Sequence, residues 1–184
     1  MTTGPDDHGT PPGHATPDDR ATPETPPGPA ADAGDRRASD RAWLELAIEL
    51  ARDCPPSTTA YSVGAVIVAA DGTELARGHS REDHPLSHAE EAALAKLSPD
   101  DPRLAGATLY SSLEPCSVRA SRPRACTHLV LGAGIPRVVL AWREPALFVA
   151  DCTGVELLEQ AGVEVVELPE LADAARAVNA HLDV

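Results

Sequence analysis

Apolar positions recur with two different periods along this chain, and the switches between them mark its elements. In "ASDRAWLELAIELARDC" (38–54), Trp43, Leu44, Leu46, Ala47, Ile48 and Leu50 fall at helical spacing. Ser39 or Asp40 stands where an N-cap belongs, so the pattern predicts a helix from about residue 40. The unbroken β-rich run 63–68, followed by Asp71-Gly72, predicts a strand turning into a hairpin. Beyond it the pattern predicts a helix over 88–98, a strand over 107–113, a helix over 123–133 and a strand over 137–142. A helix over 154–162, a strand over 163–168 and a helix over 170–182 complete the chain. One helix, a hairpin and then alternating helices and strands imply an α/β fold: a mixed sheet of about five strands, the later ones parallel, with helices on both faces. Residues 1–37, dense in Pro, Gly, Thr and Asp, show neither period. They are expected to form a disordered tail ahead of a single domain over 38–184.

Charge narrows the partners. Asp and Glu number 29 against 15 Lys and Arg, a net charge of −14, which repels phosphate backbones. Aromatic residues make up 3% and leave no spaced stacking platforms, so nucleic acid is not an expected partner. A local arginine cluster can still hold a small anion. No apolar segment approaches the roughly 20 residues that span a bilayer, and no signal-peptide pattern opens the chain. The expectation is therefore a cytoplasmic protein without a membrane partner. In that reducing compartment Cys54, Cys116, Cys126 and Cys152 point to metal binding or catalysis before disulfides.

Two stretches carry the chemistry: "SHAEEAALAKL" (87–97) and "SLEPCSVRASRPRAC" (112–126). Zinc held by one imidazole and two thiolates keeps a fourth position open for water, whose pKa it lowers toward about 7. Attack on an amidine-like ring carbon also needs a carboxyl group that moves a proton from the water to the leaving amine. His88, Cys116 and Cys126 supply the ligands, the thiolates lying at or near helix starts that favour the ionised form. Glu90 supplies the carboxyl. H-x-E followed by P-C-x-x-C is the pattern of zinc nucleobase deaminases. "HAE" and "EPC" match it, although nine residues separate Cys116 from Cys126 where two are usual.

That spacing, with "TLYSSLEPCSVRASRPRACTHLVLGAGIPRVVLAWREP", "GVELLEQAGVEVVEL" and the "AVN" around Asn179, resembles one branch of the cytidine-deaminase-like superfamily. The branch is the deaminase domain of the bifunctional riboflavin-biosynthesis deaminase-reductase, and the resemblance covers about residues 40–182. It implies a three-layer α/β/α sandwich, a Zn2+ ion on His88, Cys116 and Cys126, and Glu90 as proton shuttle. The implied reaction is hydrolytic loss of the 2-amino group of a diaminopyrimidinone ribosylamine 5′-phosphate, releasing ammonia. Reduction of the product is then expected to fall to a separate protein. A homo-oligomeric assembly is a further expectation of the resemblance.

The sequence departs from that branch around the pocket. "TTAYSVGAV" lacks an Asn-Pro pair before the first strand, "REPALF" lacks an Asn-Pro after the fourth, and Val118, Ala120 and Ser121 replace His, Gly and Thr. A cytidine or deoxycytidylate deaminase therefore stays open, as does a non-catalytic zinc-stabilised module that binds nucleotides. Arg119, Arg122 and Arg124 between the thiolates read as a phosphate clamp. Ser80, where related deaminases hold Asn or His, and Glu114 of the "EPC" motif are candidate substrate contacts. Gly64 permits close backbone approach, and the Ala65 amide is a candidate donor to a ring carbonyl. His79 and His84 read as loop polar groups, Cys54 and Cys152 as buried small apolar residues. Leu171, Ala174, Ala175, Val178 and Leu182 read as a core or subunit-contact stripe.

Overall fold

The computed structural model describes residues 1–2, 33–119, 122–145 and 152–182. Its elements run α1 (Ala33–Leu50), β1 (Gly64–Val68), β2 (Glu74–His79), α2 (Ala89–Leu94) and β3 (Thr108–Ser111). They continue with α3 (Cys126–Gly132), β4 (Arg137–Leu140), α4 (Gly154–Gln160), β5 (Glu164–Glu167) and α5 (Ala172–Val178). The strands form one sheet in the order β2-β1-β3-β4-β5. β1 pairs antiparallel with both β2 and β3, whereas β3, β4 and β5 run parallel. The two parallel steps cross over through α3 and α4. Those helices share a face with α2, while α1 and α5 cover the other, giving the three-layer α/β/α sandwich. Helices on both faces explain why β1 is buried at every position and why β3 and β4 are buried at every position but the first.

Two glycines bring helices onto the sheet. A Cβ on Gly64 would lie 2.0 Å from the Ala47 carbonyl oxygen of α1, and one on Gly78 would lie 2.6 Å from the Ala93 nitrogen of α2. The close approach expected at Gly64 is thus to a helix backbone. Leu171 and Ala175 are buried, and Val178 and Leu182 pack against the core, so most of the C-terminal stripe is core; Ala174 is exposed. Among the described residues no helix is long and apolar enough to cross a membrane.

Several boundaries differ from those predicted. α1 begins at Ala33, so residues 33–37, assigned to the tail by composition, are helical; residues 3–32 lie outside the described residues. Asp40 is no cap. It sits inside α1, buried, accepting the Tyr110 hydroxyl at 2.9 Å and both Arg137 Nη atoms at 2.8 Å. A partner 97 positions away overrides the local preference of Asp for a helix start. The helix predicted over 88–98 keeps α form only over α2. The Lys96 and Leu97 amides bond three residues back, at 3.3 and 3.1 Å, in a tightened last turn. Cys54 and Cys152 are half-buried free thiols and not core residues. Cys54 reaches the Val63 carbonyl, and the Ser117 hydroxyl reaches Cys152.

Candidate functional site

At the carboxyl ends of β3 and β4 the chain turns inward. β3 runs into Glu114-Pro115-Cys116, and Gly154 at the start of α4 lies so close that a Cβ there would meet the Pro115 carbonyl oxygen at 2.1 Å. The Glu114 carboxylate fixes this junction, accepting the Val155 amide at 2.9 Å and the Glu144 amide at 3.1 Å. His88 stands in extended conformation just ahead of α2, and Glu91 reaches back to accept its backbone N–H at 3.4 Å. Cys126 opens α3. Its amide donates to Cys116 Sγ at 3.4 Å, and the Thr127 amide donates to the Cys116 carbonyl at 3.2 Å. Two helix starts and a strand end thus aim three side chains at one point.

The ligand atoms of His88, Cys116 and Cys126 all lie within 4.8 Å of one another. His88 Nδ1 is 3.5 Å from Cys116 Sγ and 3.4 Å from Cys126 Sγ. Zinc bond lengths to nitrogen and sulfur at a tetrahedral angle put such a pair about 3.5 Å apart, so the donor set fits the ion. The hydrogen bond from Cys126 holds the Cys116 thiol well below its usual range, with His88 adding to the effect. The same bond, together with burial, pushes Cys126 up. Burial lowers the pKa of His88, but the neighbouring Cys116 more than restores it, so the net direction is up. Glu90 is 3% exposed, and burial raises its pKa. Its Oε1 accepts the Ser111 hydroxyl at 3.1 Å.

These groups open onto a cavity of about 400 Å³, large enough for a nucleotide-sized ligand. Its lining includes His88, Glu90 and Cys116 together with Ser57, Thr59, Ala60, Tyr61 and Val63 of the wall ahead of β1. Tyr61 in that wall packs edge-on against Trp142, with ring centroids 5.7 Å apart, and Arg176 lies over the Trp142 ring at 5.4 Å.

Residues 37–142 match the family model described as the cytidine and deoxycytidylate deaminase zinc-binding region. The chain belongs to that family. The diaminohydroxyphosphoribosylamino-pyrimidine deaminase of Schizosaccharomyces pombe is 43% identical over 127 residues, 68% of this chain and 31% of that protein. The riboflavin biosynthesis protein RibD of Aquifex aeolicus is 37% identical over 131 residues, 70% of this chain and 35% of that protein. The chain thus spans about a third of the length of these relatives. Among solved structures, Acinetobacter baumannii RibD (form 2) superposes with a TM-score of 0.69 at 32% identity, over 80% of this chain and 40% of that one.

Within this deaminase-family fold the structure sorts the sequence-derived contacts. His88, Cys116, Cys126 and Glu90 come together, and Ser80 lines the cavity while its hydroxyl accepts the Val63 amide at 3.2 Å. Ala65 does not reach the cavity. The Ser80 amide bonds the Val63 carbonyl, and because bonded pairs alternate along an antiparallel ladder, Ala65 and Gly78 form the next such pair, engaging the Ala65 amide inside the sheet. Glu114 borders the cavity, but its two oxygens hold backbone amides and act on the junction. The three-arginine clamp is not assembled. Arg119 lines the cavity with its side chain 3% exposed and paired to Glu91 at 2.9 Å; Arg122, 3.6 Å from the same Glu91, and the exposed Arg124 are not in the lining. His79 and His84 are absent from it as well. Ala120, Ser121 and residues 146–148 of "REPALF" lie outside the described residues.

Sequence reasoning passed over Ser111, Tyr61, Arg81 and Glu144. Burial pushes the Glu144 carboxyl, part of the cavity lining, up to about 7. None of these four stands in a motif; each is brought to the site by the sheet and its loops.

Proposed function

We propose that the chain is a zinc-dependent hydrolytic deaminase of an aminopyrimidine nucleotide, of the diaminohydroxyphosphoribosylaminopyrimidine type, acting on a free small molecule in the cytoplasm. The observation that carries this reading is a nitrogen and two sulfur donors at zinc spacing beside a buried carboxyl that the ligand set does not need. A structural zinc site has no use for such a group, whereas a hydrolytic one requires it. Identity of 43% to a protein named for this deamination supports the riboflavin-type substrate over a cytosine nucleotide.

His88, Cys116 and Cys126 would hold the metal, which supplies Lewis acidity that makes water nucleophilic near neutral pH. Glu90 takes a proton from the attacking water as a C–O bond forms at the amine-bearing ring carbon. It passes that proton to the adjacent ring nitrogen and then carries the remaining hydroxyl proton to the amine; the C–N bond breaks, ammonia leaves, and the carbon ends as a carbonyl. Burial, which raises the pKa of Glu90, suits a group that must both accept and release a proton. Ser111 fixes the carboxyl oxygen it touches, and Glu114 holds the turn that presents Cys116.

The test is ammonia release by the zinc-loaded chain against the riboflavin-pathway diaminopyrimidine phosphate, cytidine and dCMP. Turnover of the first, lost by a factor of about 10² to 10⁴ in Glu90→Gln with zinc retained, is the expected result. Turnover of dCMP or cytidine in its place would establish the cytosine reading. Silence across the panel with zinc bound would favour the binding module.

A further inference from the structure

The cavity lining contains two arginines, and their charges are treated differently. Arg119 is neutralised by Glu91. Arg81 donates from Nε to the Pro55 carbonyl at 2.9 Å, from Nη1 to the Tyr61 carbonyl at 2.9 Å and from Nη2 to the Ser62 hydroxyl at 3.0 Å. All three acceptors are neutral, and among the described residues no carboxylate forms an ion pair with it. A guanidinium has five N–H groups, so donors remain after these three bonds. The backbone of Arg81 is left-handed, with φ of 64°, a region that non-glycine residues enter at a cost and keep only where the surroundings over-determine it. Its charge acts on its surroundings: burial pushes the Cys54 thiol up while Arg81 pulls against that shift. In a chain of net charge −14, Arg81 is thus a half-buried cavity cation that no carboxylate among the described residues neutralises.

We propose that Arg81 is the anion-binding residue of the cavity, holding the phosphomonoester end of the substrate while it braces the wall that runs from Pro55 to Ser62. This rests on the deaminase reading above and assigns phosphate recognition to Arg81, not to the arginines between the thiolates. A planar guanidinium fork suits phosphate oxygens, and the ligand supplies the negative charge that the protein withholds. Asn179 provides the control. It braces the same Ser62 without charge, accepting the Ser62 amide at 2.7 Å and donating to its carbonyl at 3.0 Å.

The experiment compares the full zinc-loaded chain with its Arg81→Gln, Arg81→Lys, Asn179→Ala and Arg119→Gln variants. Calorimetry reads affinity for UMP and uridine, and kcat/KM is measured for the phosphorylated pyrimidine substrate and its dephosphorylated counterpart. Arg81→Gln is expected to weaken binding of the phosphorylated ligand about 100-fold, leave the other within about threefold and appear in KM, while Arg81→Lys keeps part of the preference. Asn179→Ala should weaken both ligands alike. Equal losses for both ligands in Arg81→Gln would make Arg81 a brace alone and overturn the proposal. So would loss of the preference in Arg119→Gln but not in Arg81→Gln. If Arg81→Gln does not fold, Arg81→Lys decides by the same ratio. A wild-type chain that turns over neither compound yet binds UMP through Arg81 would defeat the deaminase reading and leave the anion site standing.

Discussion

Glu90 is 3% exposed where it lines the cavity, and Ser111 from the end of β3 steadies it through a single hydroxyl. A hydrogen bond to a charged group contributes about 1.5–3 kcal/mol, so Ser111→Ala should lower kcat by about 10-fold to 100-fold. KM and zinc content should hold, which steady-state kinetics and metal analysis check together. A parallel fall in zinc content would mean that Ser111 supports the ligands and not the carboxyl. Ser111 illustrates what could and could not be read from the sequence at this scale. His88, Glu90, Cys116 and Cys126 were legible because each sits in a short motif whose chemistry demands those residue types. Ser111 and Arg81 were not, since only the pairing of strands and the path of a loop bring them to the site. Ala65 was misread for the complementary reason: the sequence shows a hydrogen-bonding group but not whether the fold has already engaged it.

At the scale of elements, the periodicities located the five strands and five α-helices of the described residues, and the errors lie where long-range partners outweigh local preference. Asp40 is the clearest. Its carboxylate takes both Nη atoms of Arg137 and the hydroxyl of Tyr110, tying α1 to β4 and β3, with Arg137 and Asp40 side chains only 12% and 6% exposed. Replacing Asp40 by Ala leaves a nearly buried guanidinium with only the half-exposed Glu164 carboxylate, 3.3 Å away, as partner among the described residues, and such a loss costs about 3 kcal/mol, readable as a shifted urea midpoint. Gly78 poses a steric version of the same dependence. A Cβ there would press on the Ala93 nitrogen and, at 2.8 Å, on the Ala89 oxygen, so Gly78→Ala must lift α2 from β2. Overpacking of this kind costs about 1–3 kcal/mol. Because His88 and Glu90 ride on α2, zinc affinity should fall with stability. A metal titration showing unchanged affinity would mean that the site tolerates movement of its helix.

For the whole molecule the question is whether the metal makes the fold or is received by it. Cys116 and Cys126 form a small cluster with Ala125, separate from the main core that contains Ile67, Leu109, Val138 and Leu140. The sheet and both helical layers therefore close without the metal, unlike a zinc finger, in which binding and folding are one event. The site nevertheless joins the starts of α2 and α3 to the end of β3, and a ligand bound only by the native state adds about 4 kcal/mol when present at 1,000 times its dissociation constant. For a chain of this length that corresponds to roughly 8–16 °C in Tm. Chelation should accordingly leave a folded protein with its far-ultraviolet circular dichroism intact, abolish turnover, and lower Tm by about 10 °C, all reversed by added zinc. Loss of the circular dichroism signal on chelation would instead show that the metal carries the fold, and would move the ligand trio from a catalytic to a structural role.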